Sequence, residues 1–198
     1  MVAYVAPVAV GAPWPMHCLT AVGAWLALER LGQRHRSGKR LILLGRRSRA
    51  LTPTAVIGCL AMGGLAGLVV ITVDRERILG AALVFPIAPP GPGKLVALTS
   101  GAAVLNAVGE EAVWPGMLPS LLTHTQPVGL FLMECASFGL AHWHGIPDGP
   151  TGAAIAAVYS GLVTALWMRH GMAASLVIHT VTDLVVFTAI ATHAGYAW

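Results

Sequence analysis

The chain of 198 residues is 56% hydrophobic and 10% charged, with a mean hydropathy of +0.74, whereas a soluble domain carries about 25% charged residues. A water-soluble globular fold is therefore excluded, and at about 20 residues per spanning helix residues 1–198 predict one all-α integral membrane domain, a polytopic bundle of about seven spans. Cys18, Cys59 and Cys135 are scattered through apolar runs without CxxC spacing, which excludes a disulfide framework.

The first candidate span is Val2 to Leu28, interrupted by Pro7, Pro13 and Pro15, so its regular part is expected to begin near Pro15. The N-terminus lacks a basic n-region, and no cleaved signal peptide is expected. Eight of the twelve Lys and Arg residues then fall between Arg30 and Arg49. Flanked by two apolar runs, this cluster reads as a cytoplasmic loop at about 30–50 under the positive-inside rule, able to touch anionic lipid headgroups but implying no nucleic acid. Leu51 to Val73 is the clearest span, with Pro53 in its first turn and Gly63 and Gly67 as a GxxxG pair suited to close helix packing. The apolar run Ile78 to Ala88 is short for a crossing, and either spans with help from its flanks or re-enters. If it crosses, the connector around Asp148 lies on the cytoplasmic side; if it only re-enters, the orientation of everything after it reverses.

The fourth segment runs from Leu95 to about Leu118, the fifth from Pro127 to Trp143, the sixth from Thr151 to Met168 and the seventh from Met172 to about Thr192. Three of these carry ionisable residues in otherwise apolar surroundings: Glu110 and Glu111, His142, and His179 with Asp183. A carboxylate in hydrocarbon costs several kcal/mol unless paired or wetted. Counted from the connecting loops, Glu110, His142 and His179 fall within roughly 6 Å of one another along the membrane normal, so they can share a site. His179 and Asp183, four apart, share a helix face, while Glu110 and Glu111 differ by about 100° around theirs, so one is expected to face the site and the other to seek a partner. Burial and a neighbouring imidazolium act on such a carboxylate in opposite senses, which suits a general base acting on water. Glu134 is a further intramembrane acid that could line the cavity. His17, His124, His144, His170 and His193 lie at ends and connectors and receive no role, and the tryptophans lie mainly at segment ends, as an interfacial aromatic belt would have them.

Glu110-Glu111-Ala112-Val113-Trp114-Pro115-Gly116 resembles the EExxxR motif of the CPBP family of CAAX endopeptidases and bacteriocin-processing enzymes, also called the ABI family, with Pro115 where the motif has arginine. Phe138 to His142 matches its FxxxH motif, and His179 to Asp183 its HxxxN or HxxxD motif. The resemblance implies a CAAX-endopeptidase-like helix bundle and an intramembrane protease, with Glu110 as the principal base, Glu111 in support, His142 and His179 polarising the water or stabilising the oxyanion, and Asp183 in the asparagine role. Implied with it are a membrane-associated protein or peptide substrate, the lipid bilayer as surroundings and a prokaryotic plasma membrane as location. No cofactor is required, although Glu110, His142 and His179 are also possible Zn²⁺ ligands. Pro115 is expected to kink its helix. Two other readings stay open: a catalytically inactive scaffold or immunity-type binding protein, and a haem or metal protein using His142 and His179 as ligands.

Overall fold

Prolines and capping side chains set where the helices begin. The computed structural model describes residues 14–35, 51–76, 92–118, 125–144 and 146–193. Within these lie six α-helices: α1 Trp14–His35, α2 Pro53–Val73, α3 Pro92–Glu111, α4 Pro127–Ala141, α5 Gly149–His170 and α6 Met172–His193. A π-helical segment, Ala112–Met117, continues α3, and a 3-10 turn, His142–His144, follows α4. Each of Pro15, Pro53, Pro92, Pro127 and Pro150 falls within the first two residues of its helix, where a missing N–H leaves no bond unmade. Thr52 caps α2 by accepting from the Ala55 N–H at 3.2 Å, and Asp148 caps α5 by accepting from the Gly149 N–H at 2.7 Å. Gly171, at φ 82°, turns α5 directly into α6, a conformation that suits glycine.

Among the described residues the bundle encloses its ionisable groups and exposes many large apolar side chains. Ile57, Leu65, Val128, Leu140 and Val158 are exposed, while Asn106, Glu110, Glu111, Glu134, His179 and Thr182 are buried. Water would favour the opposite distribution, so the apolar exterior is a lipid-facing surface. α2, α5 and residues Met172–Thr192 of α6 are each long and apolar enough to cross a membrane, and Cys18–Ala27 and Pro127–Ala141 are shorter apolar helices. The protein is an integral membrane protein.

Helix α6 is the hub, packed against α2, α3 and α5; α4 packs on α5, and α1 on α3 and the π-helical segment. Small residues permit the closest approaches. A Cβ on Gly63 would lie 2.6 Å from the Ile178 carbonyl oxygen, and one on Gly67 would lie 2.7 Å from the Val185 Cβ, so α2 and α6 touch backbone to backbone, as the GxxxG pair predicts. Gly139 of α4 does the same against Ala153 and Ala157 of α5.

These contacts also give the direction of each helix. Gly63 meets Ile178 and Gly67 meets Val185, so α2 and α6 run parallel. Asn106 meets Asp183 and Glu111 meets His179, so α3 and α6 run antiparallel. Tyr159 meets Thr182 while Val163 packs with Ala174, so α5 and α6 are antiparallel as well. Every helix therefore runs opposite to the one before it. Among the described residues there are six alternating helices, which does not confirm the expected count of seven. Ile78 to Ala88 itself lies outside those residues, as does most of the basic stretch. Arg30 and Arg34 belong to the end of α1, which continues to His35 rather than stopping at Leu28.

Candidate active site

The site begins with a change of helical register at its carboxylates. Pro115 has no N–H to offer the Glu111 carbonyl, so an α-helical ladder would break there. The chain widens instead: Ala112–Met117 is π-helical, and the Leu118 N–H bonds to the Val113 carbonyl, five residues back. The expected kink is thus realised as a π-helical segment, a feature often found at functional sites. Gly116 lies beside Trp25 of α1, where a Cβ would come within 3.1 Å of both the indole nitrogen and the Glu111 carbonyl oxygen.

Glu110 and Glu111 both reach His179. Glu111 Oε1 is 2.9 Å from His179 Nδ1, and Glu110 Oε2 is 3.2 Å from Nε2. The expectation that only one glutamate faces the site is corrected, because the imidazole of α6 lies between them and presents a nitrogen to each. Glu111 thereby has its partner in His179. Satisfying both contacts takes protons on both ring nitrogens, or one proton on a carboxyl, since a carboxylate oxygen can only accept. Asp183 Oδ2 is 3.8 Å from His179 Nε2, one turn further along α6.

A residue not anticipated from the sequence ties this group together. The Asn106 side-chain amide donates to Glu110 Oε1 at 3.3 Å and to Asp183 Oδ2 at 3.0 Å. Its signal was available, a buried-type amide one turn before Glu110 in an apolar run, so that the two share a face. Tyr159 was also missed. Its ring stands edge-on to His179 at 5.8 Å between centroids, and its hydroxyl donates to Thr182 Oγ1 at 3.2 Å. The Thr182 hydroxyl in turn reaches the Ile178 carbonyl at 2.9 Å and that of Gly63 at 3.2 Å, joining α5, α6 and α2 behind the site.

His142 sits apart from this direct contact. α4 ends at Ala141, so His142 is its C-cap rather than an interior residue. Its Nδ1–H donates to the Phe138 carbonyl at 2.9 Å, and its ring lies 4.4 Å from that of Phe138. That bond leaves Nε2 as the nitrogen with a lone pair in the neutral ring. Phe138 is the wedge between the histidines, 6.1 Å from His179, and Trp114 meets its edge at 4.9 Å. The Trp114 N–H donates to Ser137 Oγ at 3.1 Å, which fixes the π-helical segment against α4.

A narrow cavity opens beside His179. Its walls are Glu110, Glu111, Trp114 and Pro115 on one side, and Glu134, Phe138, Tyr159, Ser160, Val163, Thr164 and Trp167 on the other. It has room for about one water molecule. Glu134 is buried here and lines the cavity together with Thr164 of α5. Trp114 and Trp167 turn inward to this cavity, so the aromatic-belt expectation does not hold for them.

Of the possible metal ligands, Glu110 lies against His179 at 3.2 Å, and His142 stands behind Phe138. Both nitrogens of His179 are engaged with carboxylate oxygens, and among the described residues no three His, Cys, Asp or Glu side chains are grouped so as to hold a metal ion. The three cysteines are free thiols, Cys18 and Cys59 buried and Cys135 half-buried.

No curated protein and no solved structure matches the chain. The family model described as type II CAAX prenyl endopeptidase Rce1-like matches residues 92–185, the stretch from the start of α3 to the second half of α6 that holds every residue of the cluster. The paired glutamates and the FxxxH and HxxxD segments all lie inside that match, so residues 92–185 are similar to the type II CAAX prenyl endopeptidase Rce1-like family.

Proposed function

We propose that the protein hydrolyses a peptide bond near the end of a membrane-associated protein or peptide, using a water activated by Glu110, Glu111, His142, His179 and Asp183. The observation that carries this reading is the clamp of His179 between Glu110 and Glu111 at the wall of a water-sized cavity. Buried ionisable groups in a membrane protein are expensive and commonly functional. A carboxylate of the pair takes a proton from the water as its oxygen attacks the carbonyl carbon. When the C–N bond breaks, that proton passes to the leaving amine nitrogen. Asn106 and Asp183 hold Glu110 and His179 in register, and His142, from the far side of Phe138, donates to the developing oxyanion once its Nε2 has taken a proton. The expected location is a prokaryotic plasma membrane.

The test is cleavage of a farnesylated CAAX peptide reporter in proteoliposomes. Glu110→Gln, His142→Ala and His179→Ala should each lower the rate by about 10³-fold or more, the scale on which loss of an essential acid–base or charge-stabilising group acts, while the protein remains inserted. Full activity in any one of them removes that residue from the site. Pro115, in place of the motif arginine, favours a second reading, a scaffold that keeps the bundle without the chemistry. Undiminished cellular function in the Glu110→Gln/His142→Ala double variant would select it.

A further inference from the structure

Two buried polar atoms of opposite character line the same cavity. Glu111 Oε2 and Trp167 Nε1 are both enclosed, and neither makes a hydrogen bond among the described residues. An indole N–H can only donate and an ionised carboxylate can only accept. Leaving either enclosed without a partner costs about 1–3 kcal/mol. The two do not bond to each other, and a water, which accepts and donates at once, has what each needs. The cavity admits about one water, and Glu111, Trp167 and Ser160 in its lining offer polar partners. Trp25 Nε1 is similarly enclosed without a bond, but it is not part of this lining.

We infer that Trp167 is a positioning residue for the hydrolytic water: its N–H donates to the water oxygen while Glu111 Oε2 accepts one of the water's hydrogens. The inference rests on the hydrolase reading above and assigns the first proton transfer within the pair to Glu111. His179 Nδ1 holds Glu111 Oε1 at 2.9 Å, which orients the carboxylate and leaves Oε2 for the water. Glu110 Oε2 is enclosed as well, but it lies 3.2 Å from His179 Nε2, within ion-pair range, and Oε1 accepts from Asn106 at 3.3 Å. The proton moves from the water to Glu111 Oε2 as the oxygen attacks the carbonyl carbon, and it leaves with the amine when the C–N bond breaks. Ser160, Glu134 and Thr164 form the opposite wall. Trp167 is three residues from the end of α5, so the water lies near one end of the bundle rather than at its centre.

Trp167→Phe keeps an aromatic ring at the position and removes the N–H donor, with a modest loss of volume. In the reporter assay kcat should fall about tenfold or more, as for a misplaced reactant, with KM and the thermal midpoint in detergent unchanged. A parental kcat in a folded Trp167→Phe protein would overturn the inference. A second measurement does not depend on activity: in the solubilised parent protein, the Trp167 indole ¹H–¹⁵N resonance should show a cross-peak to bound water and shift in Glu111→Gln. Absence of that cross-peak also overturns it, including where Trp167→Phe fails to fold. If the parent leaves the reporter uncut, the hydrolase reading fails and the resonance alone decides whether the water is held.

Discussion

Helix α6 has two seams that differ in almost every respect. Against α2 it runs parallel and meets a glycine face, with Ile178, Val181 and Val185 packed where Gly63 and Gly67 have no side chain. Against α3 it runs antiparallel and meets carboxylates and an amide, through His179 and Asp183. The first seam is held by close packing, the main source of helix association where lipid removes the hydrophobic drive. The second is held by charged and hydrogen-bonded groups that hydrocarbon would otherwise penalise. Thr182 joins them, reaching the Gly63 carbonyl while accepting from Tyr159. The glycine seam is thus the back wall that keeps His179 in place for the polar one.

The sharpest way to break this comparison is through direction, where the outcome is all or none. If α2 and α6 are parallel, they start on the same side of the membrane, and with Arg30 to Arg49 inside the connector at Asp148 lies outside. A cysteine at Asp148, on an otherwise cysteine-free background, should react with an impermeant reagent added from outside; reaction only from inside would mean that the parallel seam is wrong. Next in size is the glycine seam itself. In Gly63→Ala the new Cβ would meet a backbone oxygen at 2.6 Å, and such overpacking costs about 1–3 kcal/mol. Thermal unfolding in detergent should show the loss, and an unchanged midpoint would mean that the seam is looser than described. The smallest effect is expected at the polar seam's edge. Asn106→Leu removes the amide shared by Glu110 and Asp183, a loss of roughly 1–3 kcal/mol for the groups left behind. It should lower kcat about tenfold without changing insertion, and parental kinetics would show that Asn106 only fills space.

Much of the site was visible in the sequence because the membrane makes polar residues conspicuous. Glu110, Glu111, His179 and Asp183 stand out in runs where nearly every neighbour is apolar, and the structure brings these four together. His142 was legible as a residue of the same neighbourhood, but its place as a helix cap behind Phe138 was not, since helix ends depend on packing as well as pattern. That both glutamates meet His179 was not legible for a simple reason: the 100° step between adjacent helical residues says how two side chains diverge, not that one imidazole can sit between them. Asn106 was passed over because an uncharged amide carries a weaker signal than a carboxylate. Trp167 was assigned to the membrane interface by its position near a helix end, although facing in or out is decided by the neighbouring helix.

Taken alone, the sequence determined the class of the molecule, a helical membrane bundle, because hydropathy over about 20 residues is a local property that hydrocarbon enforces. It also determined where helices begin, since proline and capping residues act within one turn. The tertiary structure decided the rest. That α2 and α6 run parallel, that Pro115 is absorbed by a π-helical segment, and that two glutamates share one histidine are relations between residues as much as 119 positions apart. They follow from which small residues let which helices touch, a matter of shape that no single stretch of the chain encodes.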